Sequence, residues 1–177
     1  MNALNAFFTW LMSLFSSTGL GASPGPVNAS SVYAAIQRFI AAPLGIPARG
    51  AALLLAQSAL ETAHWSAPSF KATQSLFNRH MGYGTAGVPD SDGSWTGRTY
   101  NAGPGDEDLR IYTDINQSAR DMRQWLSEPI FVSVLQALRR GDPAAFARAL
   151  DSVGFSTQRG YGEDVAETYS DEFANYA

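Results

Sequence analysis

The chain has 177 residues, 45% of them hydrophobic and 16% charged, enough for one domain with a core of its own and a short extension. A net charge of −4, with no basic patch, argues against nucleic acid as a partner. With no cysteine, a disulfide scaffold, a zinc–thiolate site and a thiol nucleophile are excluded, and two histidines are too few for most metal sites.

In chain order, residues 1–17 come first. Asn2, Asn5, Thr9, Ser13 and Ser16 recur every three or four positions, the period of a helix, and almost everything between them is apolar. A helix with so narrow a polar stripe buries most of its surface. Packing against a protein assembly or the protein's own subunits is the first reading. A membrane-seeking helix is the second, although the run is short for a span. A retained signal peptide, lacking its basic start, is the third. Residues 19–28 are rich in turn formers and read as a linker, so that 1–28 is an extension and 29–177 the main domain.

Ser30 or Ser31 is expected to cap a helix that runs to about Ala41 and is broken by Pro43 and Pro47. An apolar helix over 49–64 comes next, then a short one within 69–76. Residues 78–112, rich in Gly, Asp, Thr and Tyr, predict a small lobe of loops with two or three short strands. Asp114 caps a helix to Ser127. Pro129 opens another to Arg140, Gly141-Asp142-Pro143 stops it and starts a third over 143–152, and a last helix covers 163–175. The architecture expected is mainly α, with a small irregular or β lobe placed so that the two parts form a cleft.

One carboxylate stands out. From Gly50 to Leu60 there is no charge, and then comes Glu61 at the end of the helix. Burial raises a carboxyl pKa, and a helix C-terminus disfavours negative charge. Both keep a proton on Glu61 nearer neutral pH, as a general acid requires. The competing reading is a helix-terminal Glu that simply reaches water.

The stretch Leu54-Leu-Ala-Gln-Ser-Ala-Leu-Glu-Thr-Ala-His-Trp65, followed by Gln74-Ser-Leu-Phe-Asn78, resembles the catalytic helix of bacterial peptidoglycan N-acetylglucosaminidases. These are the flagellar-hydrolase and autolysin type, glycoside hydrolase family 73, of the lysozyme superfamily. Three further blocks fall in the family's order. Trp95-Thr96-Gly97 is similar to its "W-x-G", Leu109–Asp121 to its "FRxYxSxxxSxxD", and Gly154–Tyr161 to its "GYATDPxY". The resemblance covers about residues 50–170. It implies a lysozyme-like α+β fold, cleavage of the glycan strand after N-acetylglucosamine, Glu61 as catalytic acid and no cofactor or metal. Peptidoglycan glycan strands would be the partner, met in the periplasmic or extracellular wall space.

The departures bear on the remaining roles. Phe155 stands where the family has Tyr, while Tyr161 keeps the later tyrosine, a cleft residue that holds sugar or water. The family's second Glu has no clear counterpart, because only thirteen residues separate Trp95 from Leu109. Asp106 and Asp108 are the expected second catalytic carboxylates, with a solvated acidic turn as the alternative. Two carboxyl groups about 5–5.5 Å apart would imply a retaining mechanism and about 6.5–9.5 Å an inverting one. The substrate's own acetamido group, or its 6-hydroxyl in a lytic transglycosylase, needs no second carboxylate.

Gln57, one turn before Glu61, shares its face and is expected to bond Glu61 or substrate. Trp65 either lines the cleft or plugs the helix end, with the cleft preferred. Trp95 and Tyr100, on a lobe with little core to join, are candidates for sugar stacking. Phe77, Asn78 and Phe155 complete the expected substrate contacts. Trp125 reads as core, and His64 and His80 as surface or hydrogen-bonding residues. A muramidase or transglycosylase is the alternative enzyme. A fold-keeping structural component of an assembly, such as a phage tail or secretion apparatus, is the alternative without strong catalysis.

Overall fold

The computed structural model describes residues 27–80, 93, 95, 97–101, 108–156 and 158–177. The expected helix at 1–17, the linker as far as Pro26 and most of the small lobe, Asp106 included, lie outside the described residues.

Helix α1 (Ala29–Ile36) begins at Asn28, not at Ser30 or Ser31. The Asn28 side chain accepts from the Ser31 amide, and the Ser31 hydroxyl accepts from the Asn28 amide, each at 3.0 Å. Two orphan donors are thereby satisfied together. Pro43 does not break the helix. The chain passes through a π-helical turn (Gln37–Ala41) and one more turn (Ala42–Leu44), with the Ala42 amide donating to Gln37. Proline has no N–H for the i−4 carbonyl, and the wider turn just before it accommodates that loss.

Helix α2 (Ala48–Glu61) is the axis of the molecule, and every residue from Gly50 to Ala59 is buried. A helix apolar on all sides belongs at the centre of a core. Leu53, Leu54 and Leu55 are fully buried, each worth about 2 kcal/mol of transfer free energy. Around α2 pack α1, α5 (Val132–Arg140), α7 (Tyr161–Thr168) and the π turn Tyr169–Phe173 that continues α7. Between them in sequence lie α3 (Pro68–Thr73), α4 (Ile115–Leu126) and α6 (Pro143–Ser152). Asp114 and Asp142 cap α4 and α6 as expected, accepting from Gln117 and Ala145. The last helix starts two residues earlier than expected, which puts Tyr161 in its first turn.

Two glycines set the spacing of this frame. A Cβ on Gly50 would lie 2.1 Å from the Leu138 carbonyl oxygen of α5, and one on Gly162 would lie 2.2 Å from the Ala147 carbonyl oxygen of α6. The backbones of α2 and α7 thus approach the α5–α6 pair as closely as only glycine allows.

The small lobe contributes β1 (Thr99–Tyr100) and β2 (Leu109–Arg110), antiparallel, with Thr99 opposite Arg110 and Tyr100 opposite Leu109. His80 bridges to Leu109 on the other side. A buried polar cluster ties this sheet to α4. Asp121 accepts from Arg110 Nη1 at 2.9 Å and from the Tyr112 hydroxyl at 2.5 Å, and it pairs with Arg79 at 3.3 Å. Among the described residues, no helix is long and apolar enough to cross a membrane.

Candidate active site

Helix α2 ends at Glu61, and the chain then leaves the helical path. Ala63, His64 and Trp65 all have positive φ, at 47°, 54° and 60°, so the chain makes a left-handed turn of three non-glycine residues. Each such residue costs about 1–2 kcal/mol. Local bonds hold the turn in place. Thr62 Oγ1 donates to the Ser58 carbonyl at 2.6 Å and accepts from the Trp65 amide at 3.0 Å. Trp65 Nε1 donates to Ser58 Oγ at 3.1 Å, and His64 pairs with Glu172 at 2.8 Å. Trp65 therefore turns inward beside Phe173 and plugs the helix end, which corrects the preference for the cleft.

The Glu61 carboxyl is half-buried and gripped from two elements. The Tyr161 hydroxyl in the first turn of α7 donates to Oε1 at 2.5 Å. Asn78 Nδ2 donates to Oε2 at 3.3 Å and also to the Glu61 backbone carbonyl. Asn78 lies in the left-handed region (φ 43°), which aims its amide back at α2. Three anchors seat that segment: Leu76 N donates to Ser118 Oγ at 2.9 Å, Arg79 N to Ser75 Oγ at 3.1 Å, and Arg110 N to the Arg79 carbonyl at 2.9 Å.

Burial pushes the Glu61 carboxyl above the ordinary carboxylate range, while the Tyr161 and Asn78 hydrogen bonds and His80 pull it down. Burial wins. Tyr161, buried beside that carboxyl, is pushed far above the usual phenol range and stays neutral as a donor. Phe155 stacks on Tyr161 with ring centroids 5.5 Å apart and 9° between planes, and Trp125 packs on Phe155 at 5.2 Å. Trp125 in turn meets Phe131 at 4.2 Å and carries the Arg79 guanidinium 4.8 Å from its ring. It is half-buried against the core rather than wholly within it.

The remaining expected residues fall elsewhere. Trp95 is only 1% exposed, donates to the Arg98 carbonyl and lies 4.3 Å beneath the Arg110 guanidinium. It fills the small lobe and offers no face for sugar stacking, contrary to expectation. Phe77 is buried in the core and is likewise no substrate contact. Tyr100 is half-buried on β1. Gln57 is fully buried, and neither atom of its amide has a hydrogen-bond partner among the described residues. Asp108 is half-buried just before β2, and Asp106 lies outside the described residues. The described groups that act on the Glu61 carboxyl are Tyr161, Asn78 and His80, none of them a carboxylate. Among the described residues, no cluster of three or more His, Asp or Glu is placed to hold a metal ion.

No family model matches the sequence, and no curated protein matches it. Among solved structures it is similar to a peptidoglycan hydrolase mutant from Sphingomonas sp. A1. The identity is 24% over 84% of this chain and 90% of that one, with a TM-score of 0.56. It is also similar to a chain in a type VI secretion system effector–immunity complex from Pseudomonas protegens. There the identity is 20% over 80% of this chain and 86% of that one, with a TM-score of 0.54. The fold is lysozyme-like. The mainly α architecture with a small two-stranded sheet agrees with the expectation, and at these identities the likeness is one of fold.

Proposed function

We propose that the protein hydrolyses the glycan strand of bacterial peptidoglycan, with Glu61 as general acid and β-N-acetylglucosaminidase as its type. The observation that carries this reading is the Glu61 carboxyl itself. It sits where α2 meets the small lobe, with its pKa raised by burial and each oxygen met by a donor from a different element. A carboxyl whose pKa is raised holds its proton to higher pH and can pass it to a glycosidic oxygen as the bond breaks. The carboxylate left behind is then stabilised by the neutral Tyr161 hydroxyl and by Asn78 without any rearrangement. The fold supports the reading, since one of the structures it resembles is a peptidoglycan hydrolase.

In the proposed reaction the attacking group is the substrate's acetamido oxygen or a water near Tyr161. Asp106 and Asp108 remain the candidates if a second carboxylate takes part. Residues 1–17 are proposed to join the enzyme to the assembly that delivers it to the cell-wall space.

Purified peptidoglycan digested by wild type and by Glu61→Gln tests the proposal. Loss of the general acid should lower the rate by about 10²–10⁴-fold. Reducing N-acetylglucosamine ends identify a glucosaminidase, reducing N-acetylmuramic acid ends a muramidase, and 1,6-anhydro ends a transglycosylase. Equal release by both proteins would remove Glu61 from the mechanism. No release by either would leave a fold-keeping structural component.

A further inference from the structure

Gln57 has no assigned role in the chemistry above. It lies one turn before Glu61 on α2 and is 0% exposed, yet both its amide atoms lack a partner among the described residues. A buried amide left so is unfavourable, and an apolar residue at that position would avoid the cost. An unsatisfied group retained in a core calls for an explanation at the site it faces.

Tyr161 belongs to the same site: its hydroxyl holds the Glu61 carboxyl one turn further along α2, at 2.5 Å. The Gln57 amide bears on the Tyr161 hydroxyl in the sense that favours the ionised phenol, which is the effect of a donor directed at the phenol oxygen. The terminal torsion of a glutamine side chain is soft, so rotation about it can turn an N–H toward that oxygen. We infer that Gln57 is a positioning residue: its amide donates to the Tyr161 oxygen, and thereby aligns and polarises the hydroxyl that holds Glu61. Hydrogen bonds in series strengthen one another. The chain from Gln57 through Tyr161 to Glu61 would then grip the carboxylate more firmly than the acid, and so ease departure of the proton. This inference rests on Glu61 being the acid of the proposed hydrolase.

The test is Gln57→Met, which keeps the length of the side chain and removes the amide. The Glu61 carboxyl is titrated by carbon-13 NMR in the full chain, and kcat and KM are measured on peptidoglycan across pH. The other titratable groups acting on Glu61, Tyr161 from α7 and His80 from the small lobe, are unchanged in the variant. The Glu61 pKa should rise by about 0.3 pH unit, as expected when roughly 10–30% of the strength of a charge-assisted bond is lost. The alkaline limb of the kcat profile should move with it, kcat should fall several-fold with KM retained, and the melting temperature should hold or rise. A Glu61 titration unchanged in Gln57→Met overturns the inference, as does a fall in stability with the titration unmoved. Should Gln57→Met not fold, Gln57→Leu removes the amide without adding charge or a donor and is read in the same way. A wild type inactive on peptidoglycan whose Glu61 still titrates higher in the variant would refute the hydrolase and leave the link between Gln57 and Tyr161 standing.

Discussion

Two donors oppose the burial that surrounds Glu61, and that balance has a consequence for stability. The folded-state pKa of Glu61 lies above its unfolded value. Its contribution to stability is therefore fully present below the unfolded pKa and is lost as pH rises through the folded one. Glu61→Gln carries no such charge. Relative to wild type, the variant should gain melting temperature as pH rises from about 4 to 7, which thermal melts at constant ionic strength will show. A difference that stays flat over this range would mean that the carboxyl is not held above its ordinary value. At the same scale, aromatic identity was a poor guide to role. Trp95 and Trp65 have the chemistry of sugar platforms, but Trp95 fills the small lobe under Arg110 and Trp65 is anchored to Ser58. Which way an aromatic faces depends on tertiary contacts that residue type does not encode.

Elements were legible wherever a local signal marks them. The aspartates at 114 and 142, the proline at 129 and the charge-free run of α2 mark helices through capping, fixed φ and burial. The left-handed turn at 63–65 was not legible, because no propensity favours three such residues and only surrounding bonds impose them. It carries strain next to the proposed acid. Ala63→Gly should therefore stabilise the protein by about 0.5–1 kcal/mol, the relieved strain less the entropy of the added glycine. Urea denaturation will measure it, and a destabilised variant would mean that the turn is not strained at Ala63. The π turn before Pro43 was hidden for a related reason: a proline inside a helical pattern reads as a stop unless the wider turn is known. Of the four family-like blocks, two supply a residue that meets the Glu61 carboxyl, Asn78 from the first and Tyr161 from the last. Asn78, expected to contact substrate, donates to Glu61, and Arg110, Tyr112 and Asp121 form one buried cluster beneath the small lobe.

For the whole molecule, that cluster is the tie between the helical frame and the small lobe. Asp121 is buried and meets Arg110, Arg79 and Tyr112 at once. Removing it takes a buried carboxylate from both guanidinium groups, so Asp121→Ala should lose about 3–5 kcal/mol of stability. Chemical denaturation will show whether it does. A loss under about 1 kcal/mol, the worth of a surface pair, would mean that the lobe is held by other contacts. The proposed acid and its tyrosine depend on a second tie, the α5–α6 pair, against which Gly50 seats α2 and Gly162 seats α7. Glu61 and Tyr161 are also 100 residues apart in the chain. At ribosomal rates of roughly 5–20 residues per second, the tyrosine emerges after the glutamate by about 5–20 s. Throughout that interval the nascent chain carries the carboxylate without the hydroxyl that holds it. A fragment ending before Tyr161 would carry the proposed acid with Asn78 but without its tyrosine, so the two-sided grip on the carboxyl forms only when α7 docks.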